Sequence, residues 1–247
     1  MKNKETKMNL GIWANWYNLP DNGRDEYLAW LQESYIPRIL ARPGVKSAAH
    51  YGSISGEPQQ RKHLLPTPDK TVPGGDRYIL IFEAETPHAF ADPMPSRYHA
   101  TLPAADRKML AMRIGERSNV MTVEAQVLGP EAKGNAGLPF SPAIQMGSFN
   151  AATWQDEDEL GDWYAQWRLP CCEKLPGCIR VRKLVSVSGW AKHSVLYEFV
   201  SAEARATNYV NHEKAHPEMD QWTEQVVNKL VHAPGSPNVA KRLWPAV

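Results

Sequence analysis

The feature that most constrains this chain is a repeat inside it. Asp25–Gly56 returns without a gap, 133 residues on, as Asp158–Gly189. Asp25-Glu26 falls on Asp158-Glu159, Trp30 on Trp163, Pro37 on Pro170 and Pro43-Gly44 on Pro176-Gly177. Ser53, Ser55 and Gly56 fall on Ser186, Ser188 and Gly189, which makes nine identities in 32 positions. Unrelated segments would share about two. Trp, Pro and Gly resist exchange because each fixes packing or a backbone angle. A chain duplicated in this way is expected to fold as two related units.

The residues around the repeat supply the elements. Gly11–Tyr17 is aromatic and β-branched and ends at the turn signal Pro20–Gly23, so it predicts a strand. Arg24–Arg42 carries Tyr27, Trp30, Leu31 and Ile39 at helical spacing, with Pro37 inside the pattern. Proline lacks an N–H and clashes with the preceding turn, so this helix and its copy are expected to kink or break at Pro37 and Pro170. Val45–Tyr51 and Tyr78–Glu83 read as the second and third strands. The third strand finds its counterpart, ending at Glu198, only at an offset of 115, so the first copy holds an insertion of 133 − 115 = 18 residues after Gly56. That insertion, within 57–76, is expected to be a surface loop or a lid. Thr86–Leu102 reads as irregular, Ala104–Ile114 as a helix, Asn119–Val127 as a fourth strand and Leu128–Pro142 as a linker. The second copy repeats the order, with strands at Ile144–Asn150, Cys178–Val187, His193–Val200 and Asn238–Leu243. Its helices are expected at Asp158–Leu175, from Ala202, and from Pro217.

Each unit therefore reads β-α-β-β-α-β, the ferredoxin-like order, with helices on one face of an antiparallel sheet. The fold class is α+β, with residues 8–128 as the first unit, 129–142 as the linker and 143–247 as the second. A lone unit would expose an apolar sheet face of several hundred Å², so the two are expected to pack sheet to sheet around a barrel-like core with room for a cavity. With this order, with the helix that ends in Pro-Gly before strand 2, and with His216-Pro217, the chain resembles the dimeric α/β-barrel superfamily in fused tandem form. The nearest likeness is to its EthD-like and stress-responsive A/B-barrel members. That resemblance implies cofactor-independent monooxygenase, isomerase or cyclase chemistry; haem enzymes also belong to the superfamily. It leaves room for two chains to pair as a homodimer.

Charge and composition remove other classes. With 28 Lys+Arg against 27 Asp+Glu, and no basic stripe interleaved with aromatics, no nucleic-acid partner is expected. The first seven residues are polar, and no run of about 18 apolar residues follows anywhere, so neither a secretory signal nor a membrane span is expected. Cys171, Cys172 and Cys178 are too few for a disulfide framework, and the reading is of reduced thiols in a cytoplasmic protein.

Candidate chemistry concentrates in the first copy. Trp13, Asn15 and Tyr17 share one face of strand 1, where stacking walls and one amide suit a small aromatic ligand. His50 and Glu83 are expected to face each other across strands 2 and 3 as a base and its orienting carboxylate. The second copy keeps the acid as Glu198 but has Lys183 in place of His50. Arg97, Tyr98 and His99 lie in the Pro-bounded segment after strand 3, with Arg97 suited to a carboxylate and His99 to moving a proton. His212-Glu213-Lys214-Ala215-His216 matches the H-E-x-x-H zinc pattern, but Pro217 would end the helix that must hold both imidazoles. No metal and no cofactor is expected. The reading is of an enzyme moving protons on a small, largely apolar substrate (aromatic, polyketide-like or lactone), with a non-catalytic binding barrel as the alternative and a zinc hydrolase behind both.

Overall fold

Residues 10–54, 64–135, 137–209, 212 and 216–246 are described by a computed structural model. In chain order β1 (Gly11–Asn18) leads to α1 (Arg24–Trp30), a π-turn at Leu31–Tyr35 and α2 (Ile36–Leu40), then β2 (Val45–Ser53) and a short β3 (Leu65–Pro66). β4 (Tyr78–Ala84), α3 (Pro95–Thr101), α4 (Ala104–Leu110) and β5 (Ile114–Leu128) complete the first half. The second half has β6 (Ala143–Ala151), α5 (Trp154–Trp163), a π-turn at Tyr164–Arg168, α6 (Leu169–Cys172), β7 (Cys178–Ser188) and β8 (His193–Phe199). It ends with α7 (Ala202–Ala204), a π-turn at Arg205–Tyr209, α8 (Pro217–Val227), β9 (Leu230–His232) and β10 (Asn238–Trp244).

The strands run β10-β2-β4-β1-β5-β7-β8-β6, and β6 pairs back to β10, so eight antiparallel strands close a barrel. In each half the spatial order is fourth, first, third, second strand. The halves do not simply lie sheet on sheet, as the sequence led us to expect. Their edge strands join, β5 to β7 and β10 to β2, which leaves neither half an open ladder at those edges. β9 and β3 extend the sheet beyond the barrel, next to β6.

Helices Arg24–Leu40 and Trp154–Cys172 do not break at their prolines. In each, a five-residue π-turn ends two residues before the proline, at Tyr35 before Pro37 and at Arg168 before Pro170. The wider turn absorbs the missing donor and the clash without ending the helix. Four other expectations also shift. Thr86–Leu102 holds a 3-10 turn (Pro87–Phe90) and α3, which starts on Pro95 at a position that needs no N–H. The helix expected at Ala104–Ile114 stops at Leu110, and β5 begins five residues before Asn119. The insertion forms β3 on the second half's sheet.

Alternation along the strands separates two sets of side chains. Ile12, Ala14, Trp16, Ile81, Met121 and Leu196 fill the barrel interior and are 0–2% exposed. The interior also holds an ion network. Arg182 meets Glu83 at 2.5 Å and Glu198 at 2.9 Å, and Arg180 donates to Glu198 at 2.5 Å. Burial works to raise the Glu198 carboxyl, but Arg182 and Arg180 outweigh it and hold it below its ordinary range. The alternate residues, among them Trp13, Tyr17, Leu80 and Phe82 in one half and Phe149, Val195 and Tyr197 in the other, face the helices. No described helix is long and apolar enough to cross a membrane.

Candidate functional site between sheet and helices of the second half

The register shows why the two helix-facing layers differ. Ile12 lies opposite Glu83 and Ile144 opposite Glu198, so β1 and β6 correspond with Ile12 on Ile144. Trp13 then corresponds to Gln145, Asn15 to Gly147 and Tyr17 to Phe149. In the first half Trp13 stacks on Phe82 at 5.1 Å, and its indole N–H donates to Asn15 Oδ1 at 3.1 Å and Ser118 Oγ at 2.9 Å. The second half loses the indole and the amide at those places, and a cavity opens there.

That cavity has a volume of about 80 Å³. Gly147, Phe149 and Val195 form its floor, Trp163 and Tyr164 its helix side, and Leu64 from the first half's insertion part of its wall. A Cβ on Gly147 would sit 3.4 Å from Val195 Cγ1, an ordinary contact, so the glycine contributes space and no special backbone angle.

Polar groups converge on this apolar space. The π-turn places both Tyr164 and Arg168 against the sheet, and both are at most 4% exposed. Arg168 Nε donates to the Tyr197 hydroxyl at 2.8 Å, and Nη2 donates to the Tyr209 hydroxyl. Its Nη1 lies 3.3 Å from His212 Nε2. Gln145, itself held by Arg205 at 3.0 Å, donates to the Tyr209 hydroxyl at 3.2 Å. Burial pushes the Tyr197 and Tyr164 phenols up, against the pull of Arg168, so both keep their protons. On the sheet side His232 is 6% exposed, lies 5.7 Å from the Phe149 ring, and has no partner for Nδ1 among the described residues. Burial lowers its pKa, with main-chain groups of Leu230 and Leu65 opposing, so the imidazole is neutral at neutral pH. An unpaired neutral imidazole nitrogen is a proton acceptor, and a guanidinium backed by phenols suits a developing oxyanion.

The residues singled out in the first copy take other positions. His50 is fully buried and bonds the Tyr17 hydroxyl at 2.9 Å, while Glu83 points into the barrel and pairs with Arg182. The two do not meet, because His50 lies opposite Leu80 and Glu83 opposite Ser47, on the other face. Burial, with Arg113 beside it, lowers the His50 pKa to about 3. Trp13, Asn15 and Tyr17 do share one face, with Tyr17 beneath the Arg113 guanidinium at 4.8 Å. His99 is half-buried, bonds the Tyr35 hydroxyl at 2.6 Å, and has its pKa lowered to about 4 by burial and then Arg113. It lines an opening of about 230 Å³ with Glu116, Ser118 and Ser188. Tyr98 lies under Arg42 at 4.8 Å, and Arg97 is exposed. In the H-E-x-x-H stretch Glu213 lies outside the described residues. His212 is engaged by Arg168 and by the Tyr209 carbonyl, His216 packs on Trp167 at 5.3 Å, and among the described residues no three metal-ligating side chains come together.

Sequence reading missed Arg168, Tyr197, Tyr209 and His232. Sliding the first strands by 132 instead of 133 would have shown a Trp and an Asn giving way to a smaller Gln and a Gly.

No family model matches the chain, and no curated protein matches it. Solved structures do. An anthrone oxidase-like protein aligns over 97% of this chain and 92% of its own, at 12% identity and a TM-score of 0.57. A putative monooxygenase from Fusobacterium nucleatum aligns over 96% and 94%, at 9% identity and 0.57. Another from Lactobacillus acidophilus aligns over 95% and 94%, at 12% and 0.54. The chain shares their fold. That fold is a closed α+β barrel, in this chain of eight antiparallel strands.

Proposed function

We propose that the protein is an enzyme that removes a proton from a carbon conjugated with a carbonyl in a small, largely apolar substrate, without a bound cofactor. The observation that carries this reading is the second-half cavity. Its lining is largely apolar, and the neutral His232 imidazole and one guanidinium backed by phenols stand in it. His232 Nδ1 takes the proton, and the electron pair moves onto the carbonyl oxygen, where Arg168 stabilises it. Exclusion of water strengthens that interaction. The names of the structural neighbours favour molecular oxygen as the second substrate. A methylene group and O₂ then give a ketone and water, R₂CH₂ + O₂ → R₂C=O + H₂O. We read the two halves as copies of one ferredoxin-like unit of the EthD-like kind, of which the second has kept its cavity open.

The test is oxygen uptake with anthrone as the probe. A positioned base contributes about 10²–10⁴-fold, so His232→Ala should slow turnover by at least 100-fold while anthrone still binds. Turnover equal to that of the unaltered protein would overturn the assignment; binding without turnover in the unaltered protein would make this a binding barrel. A second reading places the base at His99, because its neutral imidazole lines the larger first-half opening. On the first reading His99→Ala keeps its turnover, and on the second it loses it.

A further inference from the structure

The second-half cavity has a polar end and an apolar end. Three of its lining residues, Gln145, Gly147 and Phe149, alternate along β6, so Gln145 and Phe149 stand roughly 13 Å apart along the strand. Gln145 donates to the Tyr209 hydroxyl, as does Arg168, which gathers the hydrogen-bonding groups at the Gln145 end. The register of the sheet places the other end. Phe149 lies opposite His232 and Ala151 opposite Leu230, so Leu230 stands beyond Phe149 on the side away from Gln145. Parallel pairing of Leu65 with Val231 then sets Leu64 beside Leu230. Leu64, Leu230 and Val227, the last residue of α8, are apolar and all three line the cavity.

Leu64 comes from the first half's insertion, and the chain that follows holds it in place. Leu64 is half-buried against the cavity, whereas Leu65, the next residue, is 51% exposed. The Thr67 N–H donates to the His232 carbonyl at 2.8 Å, and the Thr67 hydroxyl accepts from the Asp69 N–H at 3.2 Å. Pro66 has no N–H to offer, which suits the outer edge of the sheet, where β3 lies. Farther on, the Gly75 N–H donates to the Gly115 carbonyl at 2.8 Å, and a Cβ on Gly75 would stand 2.5 Å from Tyr17 Cα. The Ser53 hydroxyl and the Asn238 amide both donate to the Asp76 carbonyl. A strap fixed at Thr67 and again at Gly75 and Asp76 gives the Leu64 side chain a defined place.

We infer that Leu64 determines specificity in the second-half cavity, by setting how long an apolar body the site accepts beyond an oxygen held at Arg168. This rests on the reading of that cavity as the substrate site. The substrate class narrows to molecules with one oxygen-bearing end and a hydrocarbon remainder whose far end meets Leu64. The second copy lacks the insertion, so its cavity takes this wall from the first.

The test is calorimetric titration, under nitrogen, with para-alkylacetophenones carrying ethyl, butyl and hexyl tails. Each methylene that finds apolar lining tightens binding about fourfold. In the unaltered protein that gain should stop at the tail that reaches Leu64. Leu64→Ala should carry the gain to a longer tail, with the hexyl compound favoured over the ethyl one at least about tenfold more than before. Leu64→Trp should stop it at a shorter tail. Leu65→Ala, on the exposed side of the strap, should leave the stopping point where it was. Circular dichroism and urea midpoints check that each variant is folded. A gain that stops at the same tail in both Leu64 variants, or runs unbroken through hexyl in the unaltered protein, overturns the inference. A shift as large in Leu65→Ala also overturns it, because the strap's position and not the Leu64 side chain would then set the limit. Titration needs no turnover, so its outcome stands even where His232→Ala leaves turnover untouched. Binding with an unmoved stopping point sinks the inference and leaves the proposed base in place; no binding by any of the three compounds to the unaltered protein sinks both.

Discussion

Arg182→Leu tests whether the barrel is held by its interior ion network or only by its apolar filling. Arg182 is fully buried, lies 2.5 Å from Glu83 and 2.9 Å from Glu198, and its guanidinium also faces the Phe140 ring at 5.3 Å. At an effective dielectric near 20, each close charge pair attracts by about 4 kcal/mol, and desolvation cancels much of that. Removal of one partner is different, because the carboxylates stay buried and lose their counter-charge. Glu198 retains Arg180 at 2.5 Å and the Ser141 hydroxyl at 3.1 Å, which limits the damage. The expected loss is about 3–5 kcal/mol. At about 2–4 °C per kcal/mol for a chain of this size, the melting temperature should fall by roughly 6–20 °C. Urea unfolding followed by tryptophan fluorescence measures the loss directly, as a shift of midpoint at constant slope. The double variant Arg182→Leu/Glu198→Leu leaves Arg180 and Glu83 as a balanced pair, so it should recover at least about 1 kcal/mol of the single variant's loss. A single-variant loss below about 1 kcal/mol, or a double variant no better than the single, would refute the reasoning.

Two further predictions concern the two helix-facing layers. Gly147→Asn copies the first half's residue into the cavity floor. It should abolish anthrone binding and cost about 1–3 kcal/mol of stability by urea unfolding, since its Cβ meets only an ordinary contact but its amide enters an apolar space; unimpaired binding would mean the ligand sits elsewhere. His50 has a folded pKa of about 3 against about 6.5 unfolded, so between those values the unfolded chain binds the proton and the folded one does not. Its contribution is complete above pH 6.5 and shrinks as pH falls, by about 1.4 kcal/mol per unit. His50→Gln should flatten the stability profile between pH 6.5 and 5 by about one proton, as read from urea midpoints; an unchanged slope would show that His50 titrates normally.

The elements were largely legible in the sequence because each rests on local causes. Aromatic and β-branched runs mark Gly11–Asn18 and Tyr78–Ala84, and Pro-Gly follows both repeat helices. The π-turns were not legible, since proline announces only that the α-helical pattern must yield, and not that it yields by widening. The edge-to-edge closure was hidden too. Nothing local to Val120 or Ser188 says that they will pair across the halves. Glu83 illustrates the same limit at the site. Its distance in sequence from His50 fits either face of a sheet, and only the register, with Ser47 opposite Glu83, puts it inside the barrel beside Arg182.

His50 against Lys183 is a visible difference in chemistry, yet both side chains are occupied, His50 by Tyr17 and Lys183 by Glu124 at 2.8 Å and His193 at 3.0 Å. A second difference is one of volume. Trp13 and Asn15 consume the space that Gln145 and Gly147 leave open, and an apolar cavity cannot be seen in a sequence because it is made of atoms that are missing. The insertion tells the same story. It is expected from the sequence to be a surface loop or a lid, whereas Leu64 lines the second half's cavity and β3 pairs with the strand that ends in His232. A duplicated chain has two equivalent sites only while its copies stay alike. The first half fills its own layer with aromatic rings, while its extra loop pairs with β9 and lines the second half's cavity.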